Sequence, residues 1–211
     1  AKEFGIDAYP LVEGWAHAQN VSLYEQLRGG IREIDLRACW NGSEWVTHHM
    51  LQGNPISVLL GDIARFLSES KGEVVVVDVS HFYGGDDATE KRLVAEIHSF
   101  LGQYLVPRTT TFLNSTTLST LVAANNRALV TFDAWDPIAN DTLLWYREDV
   151  LNGSYANMAN VTDMEAWDLA LMETTGGTGP LFTLWFTLTE QTDNIIDGIL
   201  DPSQFPSTLR Q

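Results

Sequence analysis

The stretch GGIREIDLRACWNGSEWVTHHM, residues 29–50, contains two strand-like runs that each end in charged or ionisable side chains. Side chains alternate between the two faces of a strand, so Glu33, Asp35 and Arg37 share one face while Ile34 and Leu36 share the other. The apolar face can pack on helices, whereas inward-facing charges are tolerated only where they pair and meet a ligand. The first run therefore predicts a polar site at the C-terminal end of a strand.

The second run ends in a histidine pair, of which alternation allows only one member to join Asp35 and Arg37. His49 lies twelve residues after Arg37 and shares its parity with Thr47. An aspartate beside a histidine fixes its tautomer and raises its pKa, and an arginine supplies a rigid fork for a phosphoryl group. The three side chains together suit phosphoryl chemistry. A buried ion pair beside a core histidine is the structural alternative.

Strand-like and helix-like patterns alternate along the rest of the chain, which predicts an α/β fold in one domain, residues 1–211. No glycine-rich phosphate loop follows a strand, so a β/α barrel is favoured over a doubly wound nucleotide-binding sheet. Two amphipathic helices are predicted over residues 57–70 and 89–105, and a third begins at a capping box with Thr162 as N-cap. The predicted strands are Ile31–Arg37, Trp45–His49, Glu73–Ser80, Ala128–Ala134 and Leu181–Thr189, with a weaker one at Tyr155–Ala159.

Size, composition and charge narrow the function classes. A chain of 211 residues with 45% hydrophobic residues and seven tryptophans can bury a substantial core. Its formal net charge of −16 disfavours a nucleic-acid partner and would also be repelled by an anionic membrane surface. The repulsion from an anionic membrane surface counts against an enzyme that acts on anionic lipids.

The pattern of N-glycosylation sequons predicts the compartment better than the single cysteine, Cys39, does. Six asparagines begin Asn-x-Ser/Thr without an intervening proline, more than chance would place. They predict a secreted or extracellular N-glycoprotein, although turn asparagines can also give such a pattern. These residues are Asn20, Asn41, Asn114, Asn140, Asn152 and Asn160.

Three segments, WAHAQNVSLYEQLRGGIREIDLR, HHMLQG and DIARFLSESKGEVVVVDVSHFYG, resemble the X domain of phosphatidylinositol-specific phospholipase C (PI-PLC). The small X-domain-containing branch is the most similar. The resemblance is dense over residues 15–84 and continues more thinly to about residue 190, through LVTFDAW and LFTLWFTLTEQ. It implies a TIM-type β/α barrel of the PLC-like phosphodiesterase class, with a site at the C-terminal ends of the strands and a role in lipid metabolism.

The resemblance also implies roles for individual residues. His49 resembles the general acid that protonates the leaving group, Arg37 the arginine that binds phosphate, and Asp35 the aspartate that supports the site. Calcium-dependent relatives bind a metal in this region, so Arg37 implies a metal-independent mechanism with no cofactor. In that mechanism the inositol 2-hydroxyl attacks phosphorus in a phosphoinositide or related phosphodiester, and a cyclic phosphate is released.

Four further residues are candidates for the substrate pocket. Asp78 and Ser80 end one strand on a shared face, where relatives line the pocket; capping or loop anchoring is an equal alternative. Asp133 and Trp185 are weaker candidates, because an aromatic in a barrel strand is more often packing. His81 has the opposite parity to Ser80 unless the chain has already turned, and it is a minor candidate.

The sequence departs from the resemblance in three places. The family's first strand ends in a His-Asp-Ser-like motif whose histidine is the general base, and the sequence contains no such motif. Only about six of eight barrel strands are readable, so we expect a barrel that is incomplete at the N-terminus, with the C-terminus left open. A companion polypeptide or a rearrangement would complete it. Relatives usually carry glycine at the position of Met50. A methionine side chain there narrows the approach of backbone to a ligand.

Two other functions compete with a metal-independent phosphodiesterase. A catalytically silent, secreted glycoprotein used for binding or storage would fit the acidic charge, the sequons, Met50 and the absent histidine. A glycoside hydrolase with paired carboxylates would fit an acidic barrel but not the combination of aspartate, arginine and histidine.

Overall fold

A computed structural model describes residues 18–49, 51–109, 115–134, 136–175, 181–185 and 187–189. The chain divides into two compact units, residues 1–150 and residues 151–211, and each is described by itself. The prediction of a single domain stays a prediction. None of the helices within these ranges is long and apolar enough to cross a membrane.

The first unit is built around a six-stranded mixed sheet with the strand order β3-β2-β1-β4-β5-β6. β1 is parallel to β4, β4 to β5, and β5 to β6, while β2 is antiparallel to both β1 and β3. The strands are β1 (Glu33–Trp40), β2 (Trp45–His49), β3 (Leu51–Pro55), β4 (Val75–Tyr83), β5 (Ala128–Phe132) and β6 (Trp145–Tyr146). The helices are α1 (Leu23–Arg28), α2 (Ile56–Glu69), α3 (Asp87–Leu101), α4 (Leu118–Ala123) and α5 (Arg147–Val150), with 3₁₀ turns at Gly102–Tyr104 and Asp136–Ile138.

Alternation along β1 separates a core face from a polar face, as the sequence predicts. Ile34 and Leu36 are buried with the apolar residues of β4, β5, α2 and α3 in one hydrophobic core. Glu33 and Asp35 are exposed and Arg37 is half-buried on the other face. The helices thus cover one side of the sheet, and the charged side chains of β1 point to the other.

The two predicted amphipathic helices of this unit are confirmed. Helix α2 buries one apolar stripe that includes Leu60, Ile63 and Leu67. Helix α3 begins after the N-cap Asp86, whose carboxylate accepts a hydrogen bond from the Thr89 N–H. The sequence pattern did not predict that cap.

The second unit contains two parallel strands, β7 (Leu151–Tyr155) and β8 (Leu181–Trp185), and helix α6 (Val161–Thr175). The predicted N-cap of α6 is wrong by two residues. Asn160 Oδ1 accepts hydrogen bonds from the N–H groups of Thr162 and Asp163, so the asparagine caps the helix. The strand that was weakly predicted at Tyr155–Ala159 is observed earlier in the chain, as β7 (Leu151–Tyr155). The prediction relied on apolar residues that follow the strand.

The α/β fold is confirmed, but no closed barrel is found among the described residues. The strand order of the six-stranded sheet ends at β3 and β6, and β7 and β8 form a separate sheet. The closed TIM-type barrel and the missing strands therefore stay predictions.

The loop before β6 is fixed to α3 by the carboxylate of Asp141. Its Oδ1 accepts hydrogen bonds from the N–H groups of Leu143 at 2.7 Å and Leu144 at 2.9 Å, and its Oδ2 lies 2.6 Å from His98 Nε2. Partial burial acts to raise the pKa of Asp141. The hydrogen bonds from Leu143, His98 and Leu144 outweigh burial and hold that pKa below its ordinary value.

We expect Asp141→Asn to lower the free energy of unfolding by about 1–3 kcal/mol at pH 7, because a charged acceptor is lost. A depressed folded-state pKa contributes stability that is present above the unfolded pKa and is lost as the pH falls through the folded pKa. The difference should therefore shrink as the pH falls below about 4. Urea unfolding at pH 7 and pH 3 measures it, with exposed Asp136→Asn as the control; an equal loss at both pH values would contradict the assignment.

Candidate functional site

Three parallel strands place their polar residues in two adjacent rows at their C-terminal ends. The first row follows from the register, in which Asp35 pairs with Asp78 and Asp78 with Thr131. In the second row Arg37 pairs with Ser80, and the N–H of Asp133 donates to Val79 O, which continues β5 alongside β4. Strands β1, β4 and β5 thus bring four of the predicted site residues, Asp35, Arg37, Asp78 and Ser80, to one rim, with Asp133 beside them.

The guanidinium of Arg37 is held in place by Asp35. Arg37 Nε and Nη2 each lie 3.1 Å from Asp35 Oδ2. The other carboxylate oxygen, Asp35 Oδ1, accepts a hydrogen bond of 3.3 Å from Ser80 Oγ. A guanidinium carries five N–H donors, and the rest have no partner among the described residues. Arg37, 40% exposed, therefore presents a fixed, charged fork toward solvent.

A cavity of about 780 Å³ lies against this rim. Residues of α1, β1, β2 and β3 and of the segments next to them form its wall, and Asp35, Arg37, His48 and His49 are among them. Its volume lies within the range of small-molecule sites. The three residues predicted to be catalytic thus line one cavity in the first unit.

The two histidines of β2 occupy different environments. The register pairs Ala38 with Thr47, and its continuation by one residue sets His48 opposite Arg37. The His48 ring is half-buried and stacks on Tyr83, with ring centroids 5.5 Å apart and an interplanar angle of 4°. His49 is exposed at the end of β2, and its ring has no hydrogen-bond partner among the described residues. The choice of His49 stays a prediction, and His48 is a rival that the sequence pattern did not favour.

Asp78 is buried, 3% exposed, and both of its carboxylate oxygens are engaged. Thr131 Oγ1 donates to Oδ1 at 2.7 Å, and Arg147 Nε donates to Oδ2 at 2.8 Å. Its role in a substrate pocket stays a prediction, because the structure shows Asp78 bonded to protein. Sequence reasoning missed Arg147, since the preceding strand β6 has only two residues and gives no alternation pattern.

The guanidinium of Arg147 is tied electrostatically to the same rim. Partial burial acts to lower its pKa, but the hydrogen bond and the charge of Asp78 act in the opposite direction. The charges of Asp133 and Asp35 add to that effect, and the pKa of Arg147 lies above its ordinary value. The rim therefore carries a second permanent positive charge.

We expect Asp78→Ala to lower the free energy of unfolding by about 3–5 kcal/mol, because it removes a buried carboxylate that accepts hydrogen bonds from the Arg147 guanidinium and the Thr131 hydroxyl. Asp133→Ala, at an exposed aspartate just after the neighbouring strand β5, should change it by less than about 0.5 kcal/mol. Chemical denaturation of both variants tests the difference. Losses of equal size would show that Asp78 has no special structural role.

The remaining predicted residues have mixed outcomes. Trp185 lies in β8 of the second unit, with its ring centroid 6.0 Å from that of Tyr155. Met50 and Asn114 lie outside the described residues. In the described ranges no group of three or more His, Cys, Asp and Glu side chains is arranged to hold a metal ion.

Comparison with known proteins adds to this geometry. No model of a protein family matches the chain. It is 33% identical to human PI-PLC X domain-containing protein 2 over 124 residues, which cover 57% of this chain and 40% of that protein. It is 24% identical to zebrafish (Danio rerio) PI-PLC X domain-containing protein 3 over 200 residues, which cover 93% of this chain and 61% of that protein.

The chain is a homologue of the PI-PLC X domain-containing proteins. The predicted resemblance is therefore confirmed. The variant-surface-glycoprotein phospholipase C of Trypanosoma brucei brucei is also related, with 32% identity over 102 residues, 45% of this chain and 28% of that protein. The chain spans 40% and 61% of the human and zebrafish relatives, so the activity of a whole protein is a matter for proposal.

Solved structures support the fold of the chain. The phosphatidylinositol-specific phospholipase C of Listeria monocytogenes superposes with a TM-score of 0.62 at 20% identity, over 89% of this chain and 70% of that one. The S. aureus enzyme of the same name superposes with a TM-score of 0.60 at 15% identity, over 86% of this chain and 68% of that one. At these identities the similarity establishes a common fold.

Proposed function

We propose that the chain acts as a metal-independent phosphodiesterase of the PI-PLC type on a phosphoinositide or a related phosphodiester. The observation that carries the proposal is the fork of Arg37, which Asp35 fixes in the wall of a 780 Å³ cavity that His49 also lines. Homology to PI-PLC X domain-containing proteins supports the same reaction class.

In this proposal Arg37 supplies the positive charge that the reaction needs. Its remaining N–H groups bind two oxygens of the phosphoryl group in the bidentate manner that a guanidinium favours. Asp35 restrains the arginine, which removes part of the entropy cost of binding. Because a guanidinium carries a permanent positive charge, it can stabilise negative charge that develops on phosphorus without a metal ion.

His49 has the role of general acid. The 2-hydroxyl of the inositol gives its proton to a general base, which the resemblance places on the family's first strand, and attacks phosphorus. The bond from phosphorus to the leaving oxygen breaks, and His49 gives that oxygen a proton. The products are a cyclic inositol phosphate and an alcohol such as diacylglycerol. The same proposal includes a TIM-type barrel with strands beyond those of the described sheet, and a companion polypeptide that supplies them.

We also propose that the protein is secreted and N-glycosylated. Of the six sequon asparagines, Asn20, Asn41, Asn140 and Asn160 are exposed, Asn152 is half-buried, and Asn114 lies outside the described residues. Asn41 and Asn160 use Oδ1 for backbone hydrogen bonds, which leaves the nitrogen that carries a glycan free for modification. Peptide mass mapping of the protein from its natural source, before and after enzymatic deglycosylation, tests this; unmodified sequons throughout would overturn it.

Turnover without metal is the test of the proposed activity. The full chain should convert phosphatidylinositol in detergent micelles to cyclic inositol phosphate, followed by ³¹P NMR, at the same rate with and without excess EDTA. Loss of the rate on chelation would overturn metal independence. Absence of turnover together with retained binding of inositol 1-phosphate would contradict the proposed enzyme activity and favour the catalytically silent binding protein.

A further inference from the structure

One of the predicted glycosylation sites lies at the edge of the candidate cavity. Its sequon is Asn20-Val21-Ser22, and both Val21 and Ser22 belong to the cavity wall. Both residues are also exposed, Val21 at 49%, so this part of the wall is where the cavity opens to solvent. Of the sequons within the described residues, this one alone contributes residues to the wall.

Hydrogen bonds hold this sequon in place at the start of α1. Ser22 is the N-cap of the helix: its Oγ accepts from the Glu25 N–H at 3.2 Å and donates to Glu25 Oε2 at 2.9 Å. The Ser22 N–H also donates to Glu25 Oε2, at 3.0 Å. Gln26 Nε2 donates to the carbonyl oxygen of Val21 at 3.3 Å. These bonds restrain the backbone next to Asn20, so a glycan on that residue has a defined point of attachment.

The sequon lies toward the same end of the sheet as the candidate site. A connection of only four residues, 29–32, joins the end of α1 to the start of β1. The buried leucines of α1 pack in one core with the apolar residues of β1, so the helix runs back along the strand. Its N-terminal end is therefore near the end of β1 that carries Arg37, and Val21 and Arg37 line the same cavity. A group attached at Asn20 consequently lies beside the approach to the proposed phosphate site.

The position of Asn20 would leave the interior of the cavity unobstructed. Asn20 is exposed and is not one of the residues that form the wall. A glycan in place of one hydrogen on its Nδ2 would project into solvent beside the opening, as a bulky and hydrophilic group. A small solute can pass such a group, whereas the extended surface of a bilayer cannot approach the opening closely. The net charge of −16 acts in the same direction, because it repels an anionic bilayer.

We propose that N-glycosylation of Asn20 determines the physical form in which the site receives its substrate. The inference rests on the proposed phosphodiesterase function and on the proposed N-glycosylation. The glycan keeps a bilayer surface away from the opening. The glycosylated protein therefore acts on phosphodiesters dispersed in water, as short-chain monomers or in small detergent micelles. The same head group in a bilayer stays out of reach of Arg37.

The test presents one head group in two physical forms to the glycosylated protein from a secretory expression host. The rate of cyclic inositol phosphate release is measured with dihexanoyl phosphatidylinositol as dissolved monomers and with long-chain phosphatidylinositol in phosphatidylcholine vesicles. Asn20→Gln should raise the vesicle rate about tenfold or more and leave the monomer rate within about twofold, because only the approach of the bilayer changes. Asn140→Gln, at an exposed sequon asparagine outside the cavity wall, is the matched control and should change neither rate.

Two further measurements support the kinetic comparison. Enzymatic deglycosylation of the wild-type protein should reproduce the effect of Asn20→Gln, which separates the glycan from the asparagine side chain. Sedimentation with the same vesicles reports the approach to a bilayer without any turnover. Asn20→Gln should bind the vesicles more tightly than the wild-type protein does, and Asn140→Gln should bind them equally.

The outcomes separate this inference from the proposed function. Equal vesicle rates for the wild-type protein and Asn20→Gln overturn the inference and leave the proposed activity standing, as does a peptide mass map without a glycan on Asn20. A loss of the monomer rate in Asn20→Gln also overturns it, because the residue would then act on the site itself. A protein without turnover on either substrate contradicts the proposed function. Vesicle sedimentation then still decides the inference, since equal binding with and without the Asn20 glycan would overturn it.

Discussion

Arg37→Ala is expected to lower kcat/KM for an inositol phosphodiester by about 10²–10³-fold, the effect of removing one preorganised group that stabilises transition-state charge. The free energy of unfolding should change by less than about 1 kcal/mol, because the Arg37–Asp35 ion pair is exposed. Steady-state kinetics and urea unfolding of the same preparation measure the two quantities. The large catalytic effect without a matching stability effect is the signature of a binding role.

Two further variants sharpen the Arg37 prediction. Arg37→Lys keeps the charge and loses the fork, so it should recover only part of the rate. Arg65→Ala removes another exposed, ion-paired arginine, the partner of Glu69 on α2, and should leave the rate unchanged. An Arg37→Ala variant as active as Arg65→Ala would remove the proposed phosphate site.

His49→Ala is expected to lower kcat by about 10²–10⁴-fold with an alkyl leaving group, because an alkoxide leaves poorly without a proton. With a p-nitrophenyl inositol phosphodiester the loss should be much smaller, since that leaving group needs no general acid. Rates for both substrates, measured with one enzyme preparation, give the ratio that identifies the acid.

His48→Ala is the matched control for that experiment, because it removes the neighbouring imidazole of the same cavity wall. It should lose rate equally with both leaving groups, through the lost stacking on Tyr83. If His48→Ala instead loses far more rate with the alkyl leaving group than with p-nitrophenol, His48 is the general acid. The sequence-based choice of His49 is then wrong, and the register that sets His48 opposite Arg37 is the better guide.

Sequence patterns predicted the elements whose periodicity is regular. The alternation of Glu33 to Arg37 gave the two faces of β1 correctly, and β2 has the predicted bounds, Trp45–His49. The apolar spacing of α2 and α3 likewise located both helices. Such patterns are reliable because burial on one face leaves a repeating trace in the sequence.

Features that depend on irregular backbone or on distant partners were not predictable. The register of β4 against β1 shifts between the pairs Arg37–Ser80 and Cys39–Tyr83, so alternation could not decide on which side the His81 ring lies. Arg147 meets Asp78 across 69 positions of sequence, and no local pattern indicates such a pair. The Asn160 cap was missed because the capping-box pattern of Thr162 and Glu165 is a stronger sequence signal for a helix start than a single asparagine.

The location of a bound phosphate tests the proposed site most directly, and a crystal structure of the full chain soaked with inositol 1-phosphate would show it. We predict the phosphate within hydrogen-bonding distance of the Arg37 guanidinium, with the inositol in the adjoining cavity and an imidazole on β2 beside the phosphate. A phosphate bound elsewhere, or an empty cavity in a crystal whose solution binding is saturated, would contradict the proposed site.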